Sequence, residues 1–192
     1  MRSRAWARAW AAPLAAAVVL CAPLLAGDLL TREEALAACF PGATIEAQRV
    51  FLTAEQVEKA AGLSGSEVPS ALVARYVARK GEEVVGRAYV DTHVVRAKRE
   101  SLLISLTPEG RVRRIDVIAF MEPREYLASE PWMGQYRDRR LDDDLELQRA
   151  IRPIAGATLT ALATNAAVRR VLAIDRVLAL PSPEGPSPGE KP

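Results

Sequence analysis

The sequence predicts an α+β domain with short N-terminal helices, a twisted antiparallel sheet of two hairpins, and a long C-terminal helix that starts at Gly156-Ala157-Thr158. Two capping boxes mark short helices first. Apolar residues then alternate with polar ones between 72 and 120, and a helical period follows up to Leu180. Helices and strands grouped in this way are typical of α+β folds rather than of alternating β-α-β units.

The first 27 residues differ in composition from the rest of the chain. Three arginines stand before the uncharged run 9–27, a pattern typical of a signal peptide or an N-terminal membrane anchor. Both alternatives predict an exported domain over 28–180, periplasmic or on the outer face of the cytoplasmic membrane. The Pro-rich segment 181–192 cannot build a core and is expected to be a disordered tail.

The charge of the predicted exported domain gives no reason to expect a nucleic-acid partner. Three of the 26 basic residues lie before residue 28, which leaves 23 against 24 acidic residues. Cys39 is the only cysteine after the apolar run, so no disulfide can form within the domain. One His and one Cys cannot supply the usual ligand set of a zinc site, and no metal is expected.

The two N-terminal helices are predicted from their caps. Thr31-Arg32-Glu33-Glu34 is a capping box that predicts a helix through Phe40, and Thr53-Ala54-Glu55-Gln56 predicts a second helix that reaches Ala61. The segment 44–52 mixes β-branched and polar residues as a strand does.

Two hairpins follow the second helix. The first joins the alternating segment 72–79 to its partner strand 83–90, in which Gly86 predicts either a bulge or a close approach to the backbone. The second joins 101–106 to 111–120 through a turn with Pro and Gly at the positions that a type I turn prefers.

The segment 121–148 carries prolines and aromatic residues that allow two interpretations. It could line a pocket for a flat ring, or it could be a covering loop that packs Tyr126 and Trp132 into the core. The three consecutive aspartates 142–144 predict a solvated helix start rather than a cation site, because adjacent side chains on a helix point in different directions.

The helical period of the C-terminal segment predicts which side faces the sheet. Asn165, Arg169 and Arg176 are assigned to its polar side. The predicted apolar stripe consists of Leu159, Leu162, Ala163, Ala166, Ile174 and Val177.

The stretch 153–160 is typical of an anion site. Gly156 can adopt backbone angles closed to other residues, and Ala157 adds almost no bulk. A helix that begins here would direct free N–H groups and the positive end of its dipole at whatever lies beside Thr158. A phosphate is a natural occupant of such a position.

With its surroundings, this stretch resembles the FMN-binding domain family. That family includes the covalently flavinylated subunits of the Rnf complex and of the sodium-translocating NADH:quinone oxidoreductase, and the N-terminal domain of nitrous-oxide-reductase regulators. The resemblance covers about 30–177. Gly156-Ala157-Thr158 matches the family's Ser/Thr-Gly-Ala-Thr motif, and Leu159-Thr160 continues in the family's manner. Two positions differ: Ala155 stands where Ser or Thr is usual, and Arg152 stands where Asp is usual. The other similar segments are 88–93, 95–96, Glu100, 119–126, 131–132 and 141–143.

The resemblance implies an exported, often membrane-tethered flavoprotein. FMN would be attached to Thr158 by a phosphoester bond, delivered from FAD by a separate magnesium-dependent flavin transferase. The chain would relay electrons between redox partner proteins, such as those of a membrane electron-transfer complex, without turnover of a small substrate on its own. The predicted cofactor-binding residues are Ala155, Gly156, Ala157, Thr158, Leu159, Thr160, Glu122, Trp132 and His93.

The residues also allow other functions. Arg152 and Ala155 favour a non-flavinylated binding or assembly module of a membrane redox complex. A free-standing flavin enzyme is disfavoured because the sequence has neither a nicotinamide-binding glycine fingerprint nor a visible nucleophile-base pair. His93 could manage a proton near the flavin, or it could be a structural residue hydrogen-bonded beside Asp91.

Overall fold

The computed structural model describes residues 29–179 and confirms the α+β class in that part of the chain. The predicted signal or anchor segment and the predicted tail lie outside the described residues. The helices are α1 (Arg32–Cys39), α2 (Ala54–Ser64), α3 (Glu130–Met133) and α4 (Thr158–Ala179), and the strands are β1 (Thr44–Phe51), β2 (Leu72–Lys80), β3 (Glu83–Val94), β4 (Arg99–Leu106) and β5 (Val112–Phe120). Short 3-10 turns cover Arg124–Tyr126 and Gly134–Tyr136.

The five strands form one antiparallel sheet in chain order, β1-β2-β3-β4-β5. The two predicted hairpins are β2–β3 and β4–β5, and β3 pairs with β4 to join them. The predicted strand near residue 44 becomes β1, an edge strand that pairs with β2 from Thr44↔Arg79 to Phe51↔Leu72.

Helices pack on both faces of the sheet. The main core lies between the sheet and α4, with α2 packed against α4, and a smaller cluster lies under α1 on the opposite face. The main core includes Tyr89, Leu102, Ile104, Val168 and Val171. The smaller cluster includes Leu36, Phe40, Tyr76, Ala78 and Leu103.

Both predicted capping boxes are confirmed. The Thr31 hydroxyl accepts a hydrogen bond from the Glu34 N–H at 3.2 Å, and the Glu34 carboxylate accepts one from the Thr31 N–H at 2.8 Å. Thr53 and Gln56 do the same at the start of α2. This helix runs three residues past the predicted end, because Gly65 closes it with a left-handed backbone (φ +68°).

Gly86 satisfies both predictions made for it. The β2–β3 register shifts between Ala78 and Arg79, opposite Gly86, as in a β-bulge. A Cβ at residue 86 would lie 2.4 Å from Phe40 Cε1 and 2.6 Å from the Leu106 carbonyl oxygen. Glycine is therefore needed for α1 to pack against this strand.

The predicted apolar stripe of α4 is wrong in its first two turns. Leu159 and Leu162 are 46% and 52% exposed, whereas Thr160, Thr164 and Asn165 face inward. The reason is that these polar side chains find buried partners. Thr160, for example, donates a hydrogen bond to the Tyr126 carbonyl oxygen at 2.8 Å. Further along the helix, Ile174 and Val177 are buried as predicted.

Two ion pairs of low exposure attach α4 to β3. Arg170 binds both carboxylate oxygens of Asp91, at 2.8 and 2.9 Å. Five residues later, Asp175 binds Arg87 through two hydrogen bonds of 2.6 and 2.9 Å and accepts a third from the Tyr89 hydroxyl at 2.7 Å. Because each charge has an opposite partner, α4 can lie on the sheet with charged residues on its buried side.

No helix starts at the three aspartates 142–144, which corrects that prediction. They lie in a turn, where the Asp144 N–H donates to Asp142 Oδ1 at 3.2 Å and the Leu145 N–H donates to the Asp142 carbonyl at 3.3 Å. Short local hydrogen bonds of aspartate compete with helix formation in this way.

Between residues 29 and 179, none of the helices is both long and apolar enough to cross a membrane.

Candidate functional site

A tight turn leads into α4. The Ala157 N–H donates to the Ile154 carbonyl at 3.2 Å, and Gly156 has φ +79°, which a type II turn requires at its third residue. A Cβ on Gly156 would meet nothing within 4 Å. The need for glycine is therefore conformational rather than steric.

Thr158 is the first residue of α4, and its side chain is exposed. The Ala157 carbonyl accepts the first helical hydrogen bond, from the Ala161 N–H at 3.1 Å. The N–H groups of Thr158, Leu159 and Thr160 have no acceptor within the helix, and the helix dipole favours an anion beside them. The predicted helix start is confirmed at this residue.

The side chains of Trp132 and Gln135 fix the segment that precedes the turn. The Trp132 indole N–H donates to the Arg152 carbonyl at 2.7 Å, and the Arg152 N–H donates to Gln135 Oε1 at 2.9 Å. Trp132 also packs edge-on against Tyr136, with ring centroids 5.6 Å apart, and joins the main core. Trp132 therefore fits the second interpretation of the segment 121–148, a covering loop whose aromatic residue packs against the core.

Glu122 orders the turn between β3 and β4. Its Oε1 accepts hydrogen bonds from the N–H groups of Arg96, Ala97 and Lys98, at 3.3, 2.8 and 2.9 Å. These hydrogen bonds, that of Ala97 first, lower the pKa of Glu122. The carboxylate therefore stays ionised and holds this turn at neutral pH.

Tyr126 connects this turn to the start of α4. The Arg96 guanidinium lies over the Tyr126 ring, 4.7 Å from its centroid. The carbonyl of the same Tyr126 accepts the hydrogen bond from Thr160 on the first turn of α4. Glu122 is thus linked to α4 through Arg96 and Tyr126.

His93 lies between two carboxylates. Its Nδ1 is 2.9 Å from Asp91 Oδ1, and its Nε2 is 3.0 Å from Glu100 Oε2. The Thr164 hydroxyl of α4 donates to the same Glu100 oxygen at 3.4 Å. The predicted hydrogen bond between His93 and Asp91 is confirmed, and Glu100 is a second partner that sequence reasoning missed.

The charges around His93 favour its protonated form. Burial alone would lower its pKa, but the hydrogen bonds to Asp91 and Glu100 outweigh burial and raise the pKa to about 9. Burial likewise would raise the pKa of Asp91, and its hydrogen bonds to His93 and Arg170 lower the pKa overall. His93 is therefore a cation at neutral pH, held in place by this network.

These contacts join the predicted site residues to the N-terminal half of α4 or to the segment before it. Trp132 is linked through the Arg152 carbonyl. Glu122 is linked through Arg96 and Tyr126. His93 is linked through Glu100, which Thr164 also contacts. The spacing of Asp91 and His93 on one strand was a readable signal, because residues two apart share a face. The ion pair between Arg170 and Asp91 could not be predicted from the sequence, because the two residues lie 79 positions apart.

Thr158 and its neighbours Gly156 and Leu159 are exposed. Cavities of about 440, 370 and 380 Å³ lie at the C-terminal end of α4, between β2 and β3, and beside α1. The linings of these three cavities do not include Thr158. Because the Thr158 side chain is exposed, a group attached to its hydroxyl would be reachable by a second protein.

Comparison with protein-family models and with curated proteins gives no match to this chain.

Proposed function

We propose that this chain is an exported flavoprotein that carries FMN on Thr158 through a phosphoester bond and relays electrons between redox partner proteins. The observation that carries the proposal is an exposed threonine at the first position of a 22-residue helix, directly after a turn that requires Gly156. The choice of FMN as the cofactor rests on the resemblance of this stretch to the attachment motif of the FMN-binding domain family.

The residues around Thr158 fit a covalently bound phosphate. A phosphodiester keeps one negative charge, which the free N–H groups of the first helical turn can hold, an effect of up to about 2 kcal/mol in favourable geometries. Attachment from FAD joins Thr158 Oγ1 to the FMN phosphorus, loses the hydroxyl proton and releases AMP. A separate transferase would catalyse this step, so the chain needs no catalytic base of its own.

Exposed apolar surface lies beside the attachment residue. Leu162 is one helical turn after Thr158 on the same helix face, and Leu159 is its other exposed neighbour. Such surface suits a flat aromatic ring. When bound, FMN supplies reversible electron transfer, and this chain holds and orients it. His93, Glu122 and Trp132 support the helix start from which the flavin would be presented.

The attachment is tested by measuring the intact mass of the full chain after coexpression with a flavin transferase. We expect an FMN-sized mass increase in the wild type and in Thr158→Ser, which keeps a hydroxyl. Thr158→Val, which has the same shape without the hydroxyl, should lose the mass increase and the in-gel flavin fluorescence. An increase that persists in Thr158→Val would contradict the proposal.

The alternative function, a non-flavinylated assembly module, is favoured by the identity of two residues. Ala155 and Arg152 are both exposed in the segment before Thr158, where the motif usually has a hydroxyl and a carboxylate. Restoring the usual residues with Ala155→Ser and Arg152→Asp separates the two functions. A mass increase only in this double variant, with none in the wild type, would favour the assembly module.

A further inference from the structure

The sheet forks between β2 and β3. The two strands pair from Lys80↔Glu83 to Ala74↔Val90, and no pair follows. β2 begins two residues earlier, at Leu72, where it pairs only with β1, and the end of β3 pairs only with β4. A cavity of about 370 Å³ opens here, lined among others by Arg49, Ser70, Leu72, Asp91, Thr92 and Arg170.

The β2 side of the fork is closed by a serine. The Ala71 carbonyl faces β1, where it accepts the Leu52 N–H at 2.8 Å, so the main-chain groups of the next residue, Leu72, face the fork. Ser70 Oγ accepts from the Leu72 N–H at 3.0 Å and donates to the Leu72 carbonyl at 3.1 Å. This hydroxyl occupies the groups that would otherwise pair with β3.

The β3 side of the fork is open. Val90 faces Ala74 across the last pair, and because direction alternates along a strand, the N–H and C=O groups of Thr92 and Val94 also face the fork. Within residues 29–179, no strand lies opposite them. Unpaired edge groups of this kind are a template for an added strand.

The rim of the fork is apolar and positively charged. Leu72 and Val94 are 46% and 57% exposed. Arg49 is also exposed, and no ion pair to it is found in the described part of the chain. At the base of the fork, Arg170 and Asp91 neutralise each other. Among the charged residues that line the fork, Arg49 therefore carries the positive charge available to a ligand.

We propose that the fork binds an extended polypeptide segment of a partner protein. Its main chain pairs with Thr92 and Val94, its apolar side chains cover Leu72 and Val94, and an acidic side chain meets Arg49. Main-chain hydrogen bonds give such added strands their affinity, and side-chain positions give their specificity. This inference does not depend on FMN attachment.

The experiment selects binders from a phage-displayed library of ten-residue peptides with the full chain as bait. We expect proline-free sequences with alternating apolar residues and an acidic residue. Single N-methyl groups are then placed along the best peptide. Methylation should weaken binding at least about tenfold at every second position, where the N–H faces β3, and little at the positions between.

Two substitutions test the protein side. Thr92→Pro removes a main-chain donor and should weaken binding at least about tenfold, whereas Thr92→Val keeps the donor and should bind as the wild type does. Arg49→Glu should shift selection from acidic to basic peptides. If Thr92→Pro fails to fold, the N-methyl pattern decides. Failure to select any peptide, an N-methyl scan without alternation, or an unchanged preference in Arg49→Glu overturns the proposal.

Discussion

His93 shows how single hydrogen bonds set a charge state. Both ring nitrogens lie within 3.0 Å of a carboxylate oxygen. A neutral imidazole has one N–H and could donate to only one of these oxygens, whereas the imidazolium ion donates to both. The geometry and the raised pKa therefore agree that His93 is a fixed cation rather than a proton carrier near neutral pH.

The pH dependence of stability follows from this charge. The folded pKa of about 9 lies above the unfolded value near 6.5, so the contribution of His93 is complete below about pH 6.5 and is lost as pH rises through 9. We expect the wild type to lose on the order of 2 kcal/mol more than His93→Gln between pH 6.5 and 9.5.

Urea unfolding of both proteins at several pH values measures this difference. Comparing the two removes the contribution of Cys39, whose thiol pKa is also raised by burial. Parallel curves of unfolding free energy against pH for the two proteins would show that His93 is not the titrating group.

The turn before α4 depends on the backbone conformation of Gly156. With φ at +79° and open space around it, Gly156→Ala should cost about 1–2 kcal/mol of unfolding free energy through backbone strain alone. Gly62→Ala is the matched control. Gly62 is an exposed residue of α2, also with open space around it, and alanine there should stabilise by about 0.5–1 kcal/mol. Equal effects of the two substitutions, measured by urea unfolding, would contradict this account.

Among the helices and turns, the sequence predicts those features whose hydrogen-bond partners lie close together along the chain. The capping boxes at Thr31 and Thr53 and the turn at Gly156 were readable because their partners lie within three residues. The orientation of α4 was not readable in its first turns. Thr160, Thr164 and Arg170 are buried against partners 34 to 79 residues away. A prediction from hydrophobicity alone therefore assigns the wrong face of the helix to the core.

The close contact between α1 and β3 depends on the absence of a side chain at Gly86. A methyl group on Gly86 would overlap the Phe40 ring and the Leu106 carbonyl, so Gly86→Ala should destabilise by about 1–3 kcal/mol. Adding Phe40→Leu should relieve only part of this cost, because the main-chain oxygen stays in place.

A double-mutant cycle measured by thermal or urea unfolding tests this coupling. Strict additivity of Gly86→Ala and Phe40→Leu would mean that α1 does not approach β3 as closely as the structure shows.

No disulfide crosslinks the part of the molecule between residues 29 and 179. Cys39, the last residue of α1, is a free, buried thiol, and burial raises its pKa. Iodoacetamide at pH 8 should therefore leave Cys39 unlabelled in the native protein and label it fully in urea. Mass spectrometry of the Cys39 peptide gives the readout, with labelling under native conditions as the contrary outcome.

The order of the elements along the chain also has a consequence for assembly. The strands pair with their sequence neighbours, whereas α4 comes last and returns across the sheet to β3, 79 to 88 residues away. Local pairing can thus precede the docking of α4. On the proposed function, Thr158 acquires its helical N-terminus only when that final element is in place. The attached flavin would then mark chains that have finished folding, and incomplete ones would stay colourless.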